Sequence, residues 1–85
     1  MNKLVNMPNI GNVLAQKLTE AGISNSDILQ EIGSKKAFLK IKTMDNSACY
    51  NMLCALEGAI QGLRWHHLPE GTKQDLKEFY QSLIK

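Results

Sequence analysis

The sequence is short of nearly everything that would mark an enzyme or a membrane protein. Its longest apolar stretches fall well below the roughly 20 residues that a helical span needs, so no transmembrane helix is expected. The opening MNKLVNMPNIG has neither an extended apolar run nor a small-residue cleavage site, which argues against secretion and for a cytoplasmic protein. Cysteine is confined to Cys49 and Cys54. On a helix that spacing separates them by about 7.5 Å along the axis and rotates one from the other. They cannot bond to each other without breaking the helix, so reduced thiols are expected. No Cys-x-x-Cys or His-x-x-x-His spacing supports a tetrahedral metal site. A Walker-type loop, a dinucleotide-binding glycine pattern and carboxylates at catalytic spacing are absent as well. The expectation is a protein with no cofactor, no metal and no enzymatic activity. A dominant charge is also missing: ten Lys and Arg against eight Asp and Glu leave +2, too mild to imply nucleic acid or an anionic membrane by itself.

What the chain does have is helical periodicity with clear punctuation. Its 85 residues, 44% hydrophobic and only 6% aromatic, suit one small domain over 1–85 with aliphatic side chains packed between helices. Residues 3–7 read as a single irregular or helical turn, ended by Pro8. Val13, Leu14, Leu18 and Ala21 then fall at helical spacing, and Gly22 supplies a stop. Asn25 can cap a second helix that Gly33 ends, and Ser34 a third that runs to about Met44. In that third helix Ala37, Phe38, Ile41 and Met44 share one face, while Lys35, Lys36, Lys40 and Lys42 spread over the other. KAFLKIK also alternates as a strand would, but nothing else here offers a strand partner. Asp45 is placed to cap the longest helix, Asn46 to about Gln61, in which Ala55, Gly58, Ala59 and Gly62 allow close approach by a neighbour. After an RWHH turn, a last helix begins near Pro69 and packs through Leu76, Phe79, Tyr80 and Leu83. The prediction is an all-α, compact five-helix domain whose core includes Leu14, Leu18, Phe38, Ile41, Leu53, Leu56, Ile60, Trp65 and Phe79.

Three stretches could carry function. In MPNIG, followed by a helix and Ala21-Gly22-Ile23, the pattern resembles a helix–hairpin–helix element, whose turn amides and following helix N-terminus can face a DNA phosphate. The alternative is a turn that only fixes the angle between helices. Asn9 stands where DNA-binding members of that family carry glycine, and Val13 where they often carry a cation. The candidate phosphate contacts are Asn9, Gly11, Lys17, Lys35, Lys36 and Lys40, acting on duplex DNA through charge rather than base reading. Lysines on the outer side of a helix are equally consistent with a solvated face. Leu39 lies among them, so Lys36 and Leu39 form the candidate protein contact, with a weak homodimer as one option. Trp65, His66, His67 and the two cysteines are the only reactive-looking cluster. Trp65 is expected to close the core, and Cys49 and Cys54 to lie on the apolar helix.

Taken together, the M-P-N-I-G turn, Leu14 and Leu18 before Ala21-Gly22-Ile23, the Gly33 stop, AFLKIK from Ala37 and NMLCALEGAIQGLRWHHLP from Asn51 to Pro69 resemble the C-terminal domain of the TfoX/Sxy competence regulators. The resemblance covers nearly the whole chain and implies a helix–hairpin–helix-related, SAM-like fold in a family tied to regulation of DNA-uptake genes. It brings no catalytic residues. The function it implies is that of a regulatory module working through a protein partner, with sequence-nonspecific DNA binding as the alternative.

Overall fold

A computed structural model describes residues 3–83. A short 3-10 turn at Leu4–Asn6 leads into four α-helices: α1 (Asn12–Glu20), α2 (Ser26–Met44), α3 (Tyr50–Gln61) and α4 (Glu70–Leu83). A second 3-10 turn, Trp65–His67, joins α3 to α4. Among the described residues the class is all-α, with four α-helices where five were expected. The expected second and third helices form the one element α2, which carries a break at Gly33 with φ 86° and ψ 164°. That backbone conformation is nearly exclusive to glycine. Its start is capped as the sequence suggests, with the Ile28 amide donating to Asn25 Oδ1 at 2.9 Å. KAFLKIK lies wholly within α2 and is helical, not extended.

Asp45 does not open the following helix. Its amide donates to Ile41 O at 2.9 Å and closes α2. Its carboxylate turns back to accept from the Ser47 amide at 3.0 Å and the Ser47 hydroxyl at 2.5 Å. That turn, in which the Ala48 amide also donates to Asp45 O at 3.1 Å, takes up residues 45–48, so α3 starts at Tyr50 and, with 12 residues, is shorter than α2 with 19. Helix α3 is nevertheless the centre of the fold: α2, the Trp65–His67 turn and α4 all pack on it, while α1 rests on α2 and the opening turn.

One hydrophobic cluster unites these elements, with Leu18, Leu29, Ala37, Phe38, Ile41, Leu53 and Leu56 fully buried. Leu14, Ile60 and Phe79 are half-buried at its margin. Phe38 and Tyr50 each meet Tyr80 edge-on, with ring centroids 6.0 and 5.8 Å apart, which pins α4 across α2 and α3. Trp65 is not part of the core: it is 40% exposed. Val13 and Met44, assigned above to the packing faces of their helices, are exposed as well. Cys49 is exposed at the residue before α3, while Cys54 is buried within it.

Candidate interaction surfaces

The opening turn is built around Asn9. Its φ of 69° makes it the non-glycine residue with positive φ among those described, a conformation asparagine tolerates better than most side chains. The reason lies in its amide. Nδ2 donates to Leu63 O at 2.8 Å and, at 3.5 Å, to Ala55 O. Oδ1 accepts from the Trp65 amide at 3.1 Å. The side chain therefore clasps the end of α3 and the turn after it, and both of its ends are engaged. Gly58 makes room for the clasp. A Cβ there would stand 2.5 Å from Asn9 Nδ2 and 2.7 Å from Leu63 O, far inside van der Waals contact. Ile10, next along, is buried in the core, and Gly11 heads α1 at the surface with open space around it.

The lysines are distributed over separate surfaces. Lys17 pairs with Asp45, tying α1 to the end of α2. Donation by Lys17 and Ser47 holds the Asp45 carboxyl well below the usual carboxylate range. Lys35 Nζ lies 2.6 Å from Asp75 Oδ2 and 5.4 Å from the centre of the Phe79 ring, linking α2 to α4. Lys36 and Lys40 are exposed on α2 and make no ion pair among the described residues; Leu39 between them is 37% exposed. Of the six candidate phosphate contacts, three thus have their polar groups engaged inside the molecule: Asn9, Lys17 and Lys35. Lys35 and Lys36 do share a cleft of about 590 Å³ beside the Gly33 break, but Glu57 and Asp75 line it too. There the Ser34 hydroxyl donates to Glu57 Oε1 at 2.6 Å.

The Trp-His-His turn is exposed throughout, with Trp65, His66 and His67 stacked edge to face at 5.7 and 4.5 Å between successive ring centroids. No group of three or more His, Cys, Asp or Glu among the described residues is placed to hold a metal. Burial raises the Cys54 thiol pKa, and it pushes the neighbouring Tyr50 phenol up to about 12. Tyr50 Oη donates to Lys73 O at 3.2 Å and serves to fasten α4.

Sequence reasoning missed the surface around Val13. This residue is 72% exposed and stands between two clefts of about 370 and 300 Å³. The available signal was helical phase: Leu14 and Leu18 fix the buried face of α1, and Val13 shares its flank with the polar Gln16 and Lys17.

Comparisons with known proteins agree with this architecture. The sequence model of the TfoX C-terminal domain family matches residues 1–80. Protein Sxy of Escherichia coli (strain K12) is 32% identical over 81 residues, covering 95% of this chain and 39% of its own. The chain therefore spans about two-fifths of the length of that curated relative. Two crystal structures of Listeria monocytogenes proteins, one titled uncharacterized and one of unknown function, are each 53% identical. The triclinic form superposes with a TM-score of 0.94 over 95% of this chain and 92% of its own, the tetragonal form with 0.93 over 95% and 99%.

Proposed function

From the premise that this chain belongs to the TfoX C-terminal domain family, we propose that it is a non-catalytic regulatory module that works by binding protein, in the competence- and transcription-related setting of its family. One observation carries this reading. The polar groups best suited to grip a phosphate are consumed internally: Asn9 by Leu63 and Trp65, Lys17 by Asp45, Lys35 by Asp75. Apolar side chains remain at the surface instead, among them Leu39 between the free ammonium groups of Lys36 and Lys40. An apolar centre with a cationic rim suits a partner with an apolar residue set among carboxylates.

Weak, sequence-nonspecific binding of duplex DNA is the second reading. What favours it is the start of α1: Gly11 caps the helix without a side chain, and no acidic residue occupies the first turn. Two to four phosphate contacts would give log affinity a slope of about −2 to −4 against log salt. The readings separate in two measurements. Under the protein reading, a partner recovered from the native cell is lost with Leu39→Glu and with Lys36→Glu, and duplex DNA gives no complex at micromolar protein near 50 mM salt. A DNA complex that weakens near 200 mM salt and with Lys36→Glu, but not with Leu39→Glu, would reverse the order.

A further inference from the structure

Protein binding through Leu39 leaves the Trp-His-His turn without a role. Every residue from Gln61 to His67 is exposed, and Trp65 and Leu63 keep 40% and 38% of their surface in water. We propose that this turn is a binding surface for single-stranded nucleic acid. Unstacked bases lie on the rings of Trp65, His66 and His67, and Arg64 and Lys73 meet the phosphates.

The first observation concerns what the turn has left to offer. The amides of Leu63, Trp65 and His67 already donate within the molecule, to Gly58 O, Asn9 Oδ1 and Arg64 O. The carbonyls from Leu63 to His66 all accept, from Asn9 Nδ2, from the His67 and Leu68 amides and from Lys73 Nζ. An extended peptide is gripped largely through main-chain hydrogen bonds, and those groups are engaged here. Ring surface and cations remain. A nucleic-acid strand needs nothing more, since each base brings a face that stacks on an aromatic ring and each phosphate brings a charge.

Charge is the second. Residues 61–69 include Arg64 and neither Asp nor Glu. Lys73 Nζ donates to His66 O at 3.3 Å, which holds a second cation against the turn. Neither Arg64 nor Lys73 makes an ion pair among the described residues. Glu70, exposed at the start of α4, is the first carboxylate beyond the run. The surface is thus aromatic and locally cationic, which complements a polyanion that carries rings.

The third is pre-organisation. The Asn9 clasp and the backbone bonds of the turn fix its main chain, and successive rings already touch, with centroids 5.7 and 4.5 Å apart. Little conformational freedom is left to lose on binding. A single strand is favoured over a duplex because paired bases are stacked on one another, and their faces reach a side chain only when splayed out.

Trp65 is the single tryptophan of the chain, so its emission reports directly on stacking. The probes are oligo(dT) and oligo(rU) of about ten nucleotides, and a duplex of the same length. Saturable quenching by either single strand is expected at about 100 μM or below, with the duplex bound more weakly. Two phosphate contacts on a single strand should give log affinity a slope of about −1.4 against log salt. Anisotropy of a labelled strand compares the variants. Trp65→Ala should weaken binding about tenfold, Trp65→Phe should retain most of it, and Arg64→Glu should weaken it and flatten the salt slope. Leu39→Glu and Lys36→Glu should leave it unchanged. Melting curves establish folding, and Arg64→Glu, at an exposed position, carries the test should Trp65→Ala unfold. The absence of any complex with either strand at about 100 μM protein overturns the proposal. So does wild-type affinity in folded Trp65→Ala or in Arg64→Glu, a duplex bound as tightly as the single strand, or binding abolished by Lys36→Glu. The two surfaces share no residue, so failure here leaves protein binding through Leu39 standing.

Discussion

Asn9 shows how one side chain can fill a place that glycine holds in related turns. It accepts a positive φ and uses the geometry this creates to satisfy backbone groups of Leu63 and Trp65. Asn9→Ala loses those bonds and sets alanine in a strained conformation, so a stability loss of about 2–4 kcal/mol is expected in denaturant titrations. Asn9→Gly relieves the strain but not the bonds, and should fall between alanine and wild type. Gly58→Ala forces a methyl onto the same clasp and should cost about 1–3 kcal/mol. Combined with Asn9→Ala it should cost less than the sum, because one of the two close contacts is gone. Asp45 supports a pH prediction. Lys17 and Ser47 depress its pKa from the ordinary 3.8 in the folded state only. Its contribution to stability is therefore full above about pH 4 and is lost as pH falls from there through the lower folded-state value. Asp45→Asn should flatten the acid limb of the stability profile, measured by denaturant midpoints between neutral pH and pH 2. The long-range contacts, Asn9 to Leu63 and Lys17 to Asp45, were not legible in the sequence. Residue 9 and residue 63 meet only after α3 is in place, and no local pattern records a pairing across 54 positions.

At the level of elements, the sequence was readable wherever the signal was local. The Asn25 cap, the break at Gly33 and the stop after Gln61 each depend on a few adjacent residues, and each is found where expected. Asp45 misled because a carboxylate before an apolar run can cap the next helix or build a turn of its own. Lys17, from α1, tips the choice toward the turn. Gly33 also offers a clean test of what holds α2 in its bent form. A Cβ there would meet no atom within 4 Å, so Gly33→Ala introduces no clash and acts through backbone conformation alone. A loss of about 1–3 kcal/mol is expected, read from thermal or denaturant unfolding. A near-neutral result would mean that α2 can straighten without disturbing α4, which faces the break across the cleft lined by Gly33, Gly71 and Leu76.

For the molecule as a whole, the centre of the core was legible and its edges were not. Leu18, Phe38, Ile41, Leu53 and Leu56 lie deep in their helical faces, and small errors of phase leave them buried. Leu56→Ala should accordingly cost about 2–5 kcal/mol in equilibrium unfolding. Val13, Met44 and Trp65 stand at boundaries, where exposure depends on how far a neighbouring element reaches. The clasp made by Asn9 has a kinetic consequence. Trp65 is the single tryptophan of the chain, and its backbone N–H is held by a side chain 56 positions earlier. Closing a loop of that length costs entropy that local helix formation does not. Docking of the opening turn should thus trail the assembly of α2 against α3 during refolding. Pulsed hydrogen exchange at the Trp65 amide then times the arrival of the N-terminal turn, while far-UV ellipticity times the helices, and in Asn9→Ala that amide should lose its protection.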